Sequence, residues 1–239
     1  MHKFFATALL LMVTLNANAL SILLSGSHPG RDVPSRLTGL GHTVTESYAN
    51  TWGDWFDYSQ YDVVAFTYGT ANPLDIDHLV TAVQNQEVGV VFFRGWDAGA
   101  TSSALGLSSG TSDWQYAQNN LDIVENGHYI TQGTTLGIND LGYTFMSYEP
   151  LPGINTTVLA NGADGAALIA HNSLRVALTP FYGHEDGYAD ETPLGIQLTE
   201  NTLQWAAGAG GFAVIPLPAA AWLFASGLVG LGWFRRTRA

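Results

Sequence analysis

The sequence contains no cysteine, and its single lysine, Lys3, is the third residue of the chain. The absence of cysteine excludes disulfide bonds, thiolate metal sites and cysteine nucleophiles together. Charged residues make up only 12% of the 239 residues, about half of the usual share. The residues between Lys3 and Arg235 hold four arginines against all 20 acidic residues, a formal charge of −16. Such a surface repels a phosphate backbone, so we expect no nucleic-acid partner.

The first 19 residues have the three parts of a secretory leader. A short polar start precedes an apolar run over residues 4–15, which is too short to span a bilayer comfortably. Ala17-Asn18-Ala19 is a small-x-small cleavage pattern, and a strand-like segment follows it. A buried N-terminal helix is the alternative. The pattern favours a signal peptide over residues 1–19, so we expect export through the secretion translocon.

The end of the chain combines a proline motif, an uncharged span and a basic terminus. Pro216 and Pro218 precede a stretch long enough for one membrane crossing, and Arg235 and Arg236 follow it. This order, from Ile215-Pro216-Leu217-Pro218 onward, resembles the PEP-CTERM sorting signal of Gram-negative bacteria. The resemblance implies recognition by an exosortase, removal of the tail, and delivery to the cell surface or the exopolysaccharide matrix. A simple membrane anchor over residues 215–239 is the alternative.

Residues 20–208 alternate strand and helix patterns, which predict one α/β domain. Continuous apolar runs at 21–25, 62–68 and 88–93 indicate strands buried on both faces of a parallel sheet. In the second half, three short apolar runs separated by turn sequences predict a small antiparallel meander. We expect a mostly parallel sheet with helices on both faces, a linker at 209–214, an N-terminal signal helix and a C-terminal transmembrane helix.

The order of these elements resembles the class I glutamine amidotransferase-like fold, which has a flavodoxin-like sheet. The segments YDVVAFTYG, EVGVVFFRG, NGHYITQG and NTLQWAAG carry the resemblance, and they are similar in particular to relatives near the trehalose-utilisation-protein group. A true amidotransferase has a cysteine on the turn after a central strand, where this chain has Arg94-Gly95-Trp96-Asp97. The resemblance therefore implies the fold without glutamine hydrolysis by that route.

Ligands of open α/β sheets bind outside the carboxyl ends of the strands. Four loops should meet there, at 26–29, 68–72, 94–99 and 181–191. Trp96 offers a stacking surface for a ligand ring, and a partly buried packing residue is the alternative. We expect the ligand site at this edge, with the candidate residues His28, Tyr68, Arg94, Trp96, Asp97 and His184.

Other motifs point less clearly to chemistry. GLSSG matches G-x-S-x-G, but the segment before it is not strand-like, so we expect Ser108 to lie in a loop. The acidic segment 183–192 has oxygen ligands that suit Ca²⁺ but lacks the spacing of a calcium loop, and no histidine-rich zinc set is visible. We therefore predict no metal and no cofactor. Asp75 and Asp77 are expected to cap a helix and to meet its dipole, and His128 to belong to a turn.

These observations favour a non-enzymatic surface protein that binds a ligand, a polysaccharide or a partner. The segment NTWGDWFDYSQYD suits sugar contact, and an aromatic lid packed on the sheet is the alternative; its aromatic residues include Trp52, Trp55, Phe56 and Tyr58. A hydrolase of carbohydrate or small esters, acting through His28, His184 and nearby carboxylates, is the second hypothesis. Glycosidases need two carboxylates flanking one bond, and no such pair can be identified in the sequence.

Overall fold

Nine β-strands form one mixed sheet in the part of the chain that the computed structural model describes, residues 19–25, 32–67, 73–93, 99–107, 120–141, 155–162, 165–181 and 192–210. The strand order across the sheet is β2-β1-β3-β4-β9-β8-β7-β5-β6. The strands are β1 (Ser21–Ser25), β2 (Thr43–Glu46), β3 (Val63–Phe66), β4 (Gly89–Phe93), β5 (Asn120–Ile123), β6 (Gly137–Asp140), β7 (Thr156–Gly162), β8 (Gly165–His171) and β9 (Val176–Thr179).

The first four strands and β9 run in the same direction and form the parallel half of the sheet. Strands β3 and β4 are buried at every position, as their continuous apolar sequences predict. The antiparallel half begins where β8 pairs with β9, and it continues through β7 and β5 to β6. The predicted meander is confirmed as β7-β8-β9.

The expectation of a mostly parallel sheet needs correction, because the sheet has four parallel and four antiparallel pairings. The difference comes from β5 and β6, which add an antiparallel pair at the far edge. Both strands are four residues long, and Ile138 in β6 is 74% exposed. Short edge strands with exposed positions lack the apolar runs that revealed the central strands.

The described ranges also contain four α-helices and three short 3₁₀ helices, and all but the last α-helix lie between strands in the sequence. The 3₁₀ helices span Ala49–Thr51, Tyr58–Gln60 and Tyr129–Thr131. Asp75 caps the second α-helix by accepting from the His78 backbone N–H at 3.0 Å, and Asp77 lies in the first turn, so both expected roles are confirmed. The α-helices are α1 (Val33–Gly39), α2 (Ile76–Gln84), α3 (Gly99–Ala104) and α4 (Pro193–Ala206).

The core consists of two hydrophobic clusters, because successive residues of the buried strands point to opposite faces of the sheet. Ile22 and Leu24 of β1 pack in the cluster that contains the apolar residues of α1 and α4. Leu23, between them, packs in the cluster that contains α2 and the turn after α3. Helices therefore cover both faces, as predicted.

The described chain ends in turns at residues 207–210, where Gly210 lies against the ring of Tyr129. The expected signal helix and the C-terminal span, with Pro216, Pro218, Arg235 and Arg236, lie outside the described residues. Within the described ranges, no helix has the length and apolar character needed for a membrane crossing.

Candidate functional site

The carboxyl ends of β1, β3, β4 and β9 lie at one edge of the sheet. Their pairing is parallel and in register, with Ser25 beside Phe66, Phe66 beside Phe92, and Phe93 beside Thr179. The four loops expected to hold the ligand site follow these strands in the sequence, so their common starting edge is confirmed. The candidate residues themselves lie outside the described residues; they are His28, Tyr68, Arg94, Trp96, Asp97 and His184.

Buried hydroxyl groups fix the backbone where these strands end. Ser25 Oγ accepts a hydrogen bond from the backbone N–H of Ala49 at 3.0 Å, and Thr67 Oγ1 donates to the Ser25 carbonyl at 3.2 Å. Thr179 Oγ1 accepts from the backbone N–H of Phe181 at 3.2 Å. All three side chains are buried. These hydrogen bonds give them a structural role in holding the loop starts.

The segment 47–57 crosses the carboxyl end of β1 and contributes to the same edge. The backbone N–H of Ser47 donates to the Leu24 carbonyl at 3.0 Å. On its other side, the segment is joined to the chain that precedes α2, because the N–H of Leu74 donates to Ala49 and that of Asp75 donates to Trp52. This segment is therefore held between β1 and α2.

The aromatic side chains of this segment form a packed cluster. Trp52 is fully buried, its Nε1 atom donates to Ser47 Oγ at 3.0 Å, and its ring lies 5.7 Å from that of Phe66 in β3. Phe56 lies between Trp52 and Tyr58, with ring centroids at 5.4 and 5.0 Å. The lid alternative is thus confirmed for Trp52, Phe56 and Tyr58.

Trp55 differs from these neighbours because its side chain is 72% exposed. Its ring contacts Phe56 at a centroid distance of 5.8 Å, and Gly53 lies beside its indole nitrogen. Leu74, 71% exposed, approaches Gly53 as well, and Tyr48, 68% exposed, belongs to the same segment. We call Tyr48, Trp55 and Leu74 the exposed ledge. Sequence reasoning named only Trp55 among them, since exposure depends on tertiary contacts.

No acid or base chemistry is set up within the buried part of this cluster. Burial raises the pKa of Tyr58, with the negative charge of Asp75 as a smaller cause, so the phenol stays protonated. Its hydroxyl is buried without a hydrogen-bond partner. The Nε2 atom of His78 lies 2.7 Å from the Phe56 carbonyl, to which it donates. The His78 hydrogen bond and the packing of the Tyr58 ring hold the cluster together, and the exposed ledge is its solvent-facing part.

The other histidines of the described ranges lie away from the carboxyl edge. His42 precedes β2 and lies 3.1 Å from Glu200, while His128 caps the 3₁₀ helix at 129–131, which confirms its place in a turn. The structure brings no set of three metal-ligating side chains together among the residues it describes. Ser108 lies outside those residues, but the segment before it is the end of α3 and a turn, not a strand.

Comparison with known proteins identifies the fold. No family model and no curated protein matches the chain. A solved cytoplasmic protein of Salmonella typhimurium matches with a TM-score of 0.56 and 12% identity, over 78% of this chain and 99% of that one. A ThuA-like protein of Bacteroides uniformis matches with a TM-score of 0.54 and 12% identity, over 79% of this chain and 90% of that one. A GMP synthase-like protein of Thermoplasma acidophilum matches with a TM-score of 0.50 and 13% identity, over 79% of this chain and 96% of that one.

The described domain has the class I glutamine amidotransferase-like fold. Identity this low shows the fold and transfers no activity. Strand β4 lies between β3 and β9 in the sheet, and the chain contains no cysteine. The domain therefore has this architecture and no cysteine nucleophile, and the exposed ledge beside the strand ends is the described feature suited to ligand contact.

Proposed function

We propose that the protein is an exported, non-catalytic surface protein whose domain binds a neutral polysaccharide at the carboxyl edge of the sheet. The leader pattern at Ala17-Asn18-Ala19 and the proline-span-arginine tail support export and sorting by an exosortase. In this proposal the tail is removed after sorting, and the domain remains at the cell surface or in the extracellular matrix.

The observation that carries the binding function is the exposure of Trp55 on a rigid support. An indole ring offers a large flat apolar surface, and few conformations are lost when it is already packed on a neighbour. Phe56 supplies that packing from below, and Phe56 itself rests on buried Trp52. A sugar ring stacking on Trp55 would meet a surface held in place before binding.

The charge of the chain supports a neutral polysaccharide. The formal net charge is −12, and the part between Lys3 and Arg235 is more negative still. An anionic polymer would be repelled, whereas a neutral glycan makes its contacts through hydroxyl groups and the apolar faces of its rings. In this proposal the residues predicted from the sequence, which belong to the loops that follow β1, β3, β4 and β9, take part in binding; they are His28, Tyr68, Arg94, Trp96, Asp97 and His184.

The experiment is affinity electrophoresis of the purified protein in gels containing neutral or acidic polysaccharides, with Trp55→Ala beside the native chain. We expect retardation by a neutral polysaccharide and a cost of about 2 kcal/mol on losing the indole ring, about a thirtyfold increase in Kd. Ile138→Ala is the matched control, because Ile138 is as exposed as Trp55 and lies in β6, the edge strand at the far end of the sheet. Equal retardation of both variants would reject the exposed ledge as the site.

Processing is tested separately by the intact mass of the protein released from cells that contain an exosortase. We expect a chain that lacks the tail. Recovery of a chain that still contains Arg235 would leave only a membrane anchor. Release of reducing sugar from the bound polysaccharide would instead favour the hydrolase hypothesis, which no contact among the described residues supports at present.

A further inference from the structure

The first core residue of the described chain is Leu20, which directly follows the Ala17-Asn18-Ala19 cleavage pattern. Ala19 is exposed, whereas Leu20 is only 5% exposed and packs in the same core cluster as Ile22 and Leu24. A cut between Ala19 and Leu20 therefore leaves the whole described core in the remaining domain. The residue that becomes the new N-terminus is itself a core residue.

The backbone nitrogen of Leu20 contacts buried His42, which pairs with half-buried Glu200 at the amino edge of the sheet. It donates to Nδ1 of His42 at 3.2 Å, and Nε2 of His42 lies 3.1 Å from Oε2 of Glu200. Because Nδ1 accepts, the ring proton is on Nε2 and is donated to Glu200. The next backbone nitrogen, that of Ser21, donates to Oδ2 of Asp62 at 2.7 Å.

An open groove of about 330 Å³ lies beside Ala19 and Leu20. Asp62 lines one side of it, and the residues at and after the carboxyl end of α4 line the other. The C-terminus of this 14-residue helix carries the negative end of the helix macrodipole. Asp62 adds a carboxylate to the lining, while Glu200 contacts His42 and does not line the groove. The guanidinium of Arg175 lies beside Gly208, at the α4 side of the lining. The Asp62 carboxylate and the helix end are the acceptors that suit a small cation with N–H donors.

We propose that this groove binds the α-ammonium group of Leu20 in the exported protein, so that removal of the leader creates the cation that the groove holds. The proposal rests on the export step of the proposed function. A leader peptidase adds water across the Ala19–Leu20 peptide bond: the C–N bond breaks, hydroxyl joins the Ala19 carbonyl carbon, and a proton joins the Leu20 nitrogen. The new carboxyl group loses a proton and the amine takes one up, so the charge balances.

The composition makes this amine unusually easy to follow. Lys3 is the only lysine, and it leaves with the leader. After the cut, the α-amino group of Leu20 is the only primary amine in the protein. An amine-reactive ester therefore reports on this one group, without any background from lysine side chains.

The experiment uses the full chain, expressed with its leader in a Gram-negative host and purified after export. N-terminal sequencing should begin at Leu20, and an N-hydroxysuccinimide ester should add one label per chain. We expect labelling of the native protein at pH 8 to be at least about tenfold slower than in denaturant, because the amine must leave its contacts before it reacts. His42→Ala and Glu200→Gln should remove most of this protection, and His42→Gln, which keeps an acceptor, should restore part of it.

His171→Ala is the control, since His171 lies in β8 and makes no contact with the groove; its protection should equal that of the native chain. Glu200→Gln keeps the test decisive if His42→Ala does not fold. An N-terminus at another residue overturns the proposal while export stands, and a retained leader overturns both. Labelling equally fast in native and denatured protein, on a chain that begins at Leu20, overturns the groove alone.

Discussion

The Nε2 atom of His128 lies 3.0 Å from Oδ1 of Asn172, and Nδ1 of the same ring accepts the backbone N–H of Ile130 at 3.2 Å. The accepting Nδ1 fixes the proton on Nε2, so His128 is held as the neutral tautomer that donates to Asn172. The ring also lies 5.1 Å from that of Trp205 in α4. One imidazole thus links the 3₁₀ helix at 129–131, the turn after β8, and the last helix.

This arrangement predicts a pH dependence of stability. Burial is the main cause that lowers the pKa of His128 in the folded protein below its usual value of 6.5. The unfolded chain therefore binds the proton more readily, so the stability present above pH 6.5 is lost as the pH falls through the folded pKa. We expect the free energy of unfolding to decrease from pH 7.5 to 5.5, and to decrease less in His128→Gln.

Urea denaturation of both proteins at the two pH values measures this difference. Part of the decrease should persist in the variant, because burial also lowers the pKa of His171. An identical decrease in both proteins would show that His128 is not the titrating group.

A second prediction separates the two tryptophans of the aromatic segment. Trp52 is fully buried and donates to Ser47, so Trp52→Ala should cost about 3–5 kcal/mol of unfolding free energy through a cavity and a lost hydrogen bond. Trp55 is mostly exposed, so Trp55→Ala should change it by about 0.5 kcal/mol or less. Chemical denaturation followed by circular dichroism measures both. A large loss for Trp55→Ala would mean that its effect on polysaccharide binding is a folding effect.

Three strands of the parallel half, β1, β3 and β4, could be predicted because they are buried on both faces. SILLS, VVAF and GVVFF are nearly continuous apolar runs, and each became a strand with almost no exposed position. The sequences NLDI and GIND of β5 and β6 alternate instead between buried or half-buried and more exposed residues, and each is only four residues long. Patterns this short do not distinguish an edge strand from a loop.

The position of the candidate site could be predicted from the sequence, but the side chains exposed at its surface could not. Parallel topology alone places the ends of β1, β3, β4 and β9 at one edge, and this was derived from the order of elements. The exposed ledge could not be derived, because Trp52 and Trp55 are identical side chains three positions apart. Only the contacts of Trp52 with Phe66 and Tyr58 decide which of the two is buried.

A third prediction concerns Gln86, whose backbone has φ of 63° just after α2. Its N–H donates to the Val83 carbonyl and that of Glu87 donates to Ala82, which is the Schellman pattern that ends a helix. A residue with a Cβ atom is strained in this left-handed conformation, whereas glycine is not. Gln86→Gly should therefore raise the free energy of unfolding by about 1 kcal/mol, measured by urea denaturation. Gln84→Gly, at the last residue of the helix, should lower it instead.

The last prediction tests how closely α4 packs on the sheet. A Cβ atom added to Gly89 of β4 would overlap the Ala206 carbonyl oxygen and lie 2.6 Å from the carbonyl carbon. Both atoms belong to the backbone, so the helix must shift as a body, and Gly89→Ala should cost about 1–3 kcal/mol. Gly39→Ala is the control: nothing lies within 4 Å of its added Cβ atom, and a helical alanine should gain up to about 1 kcal/mol. Thermal unfolding of the two variants should therefore shift in opposite directions. An unchanged Tm for Gly89→Ala would mean that α4 moves freely over β4, and that the groove at its carboxyl end lacks a fixed wall.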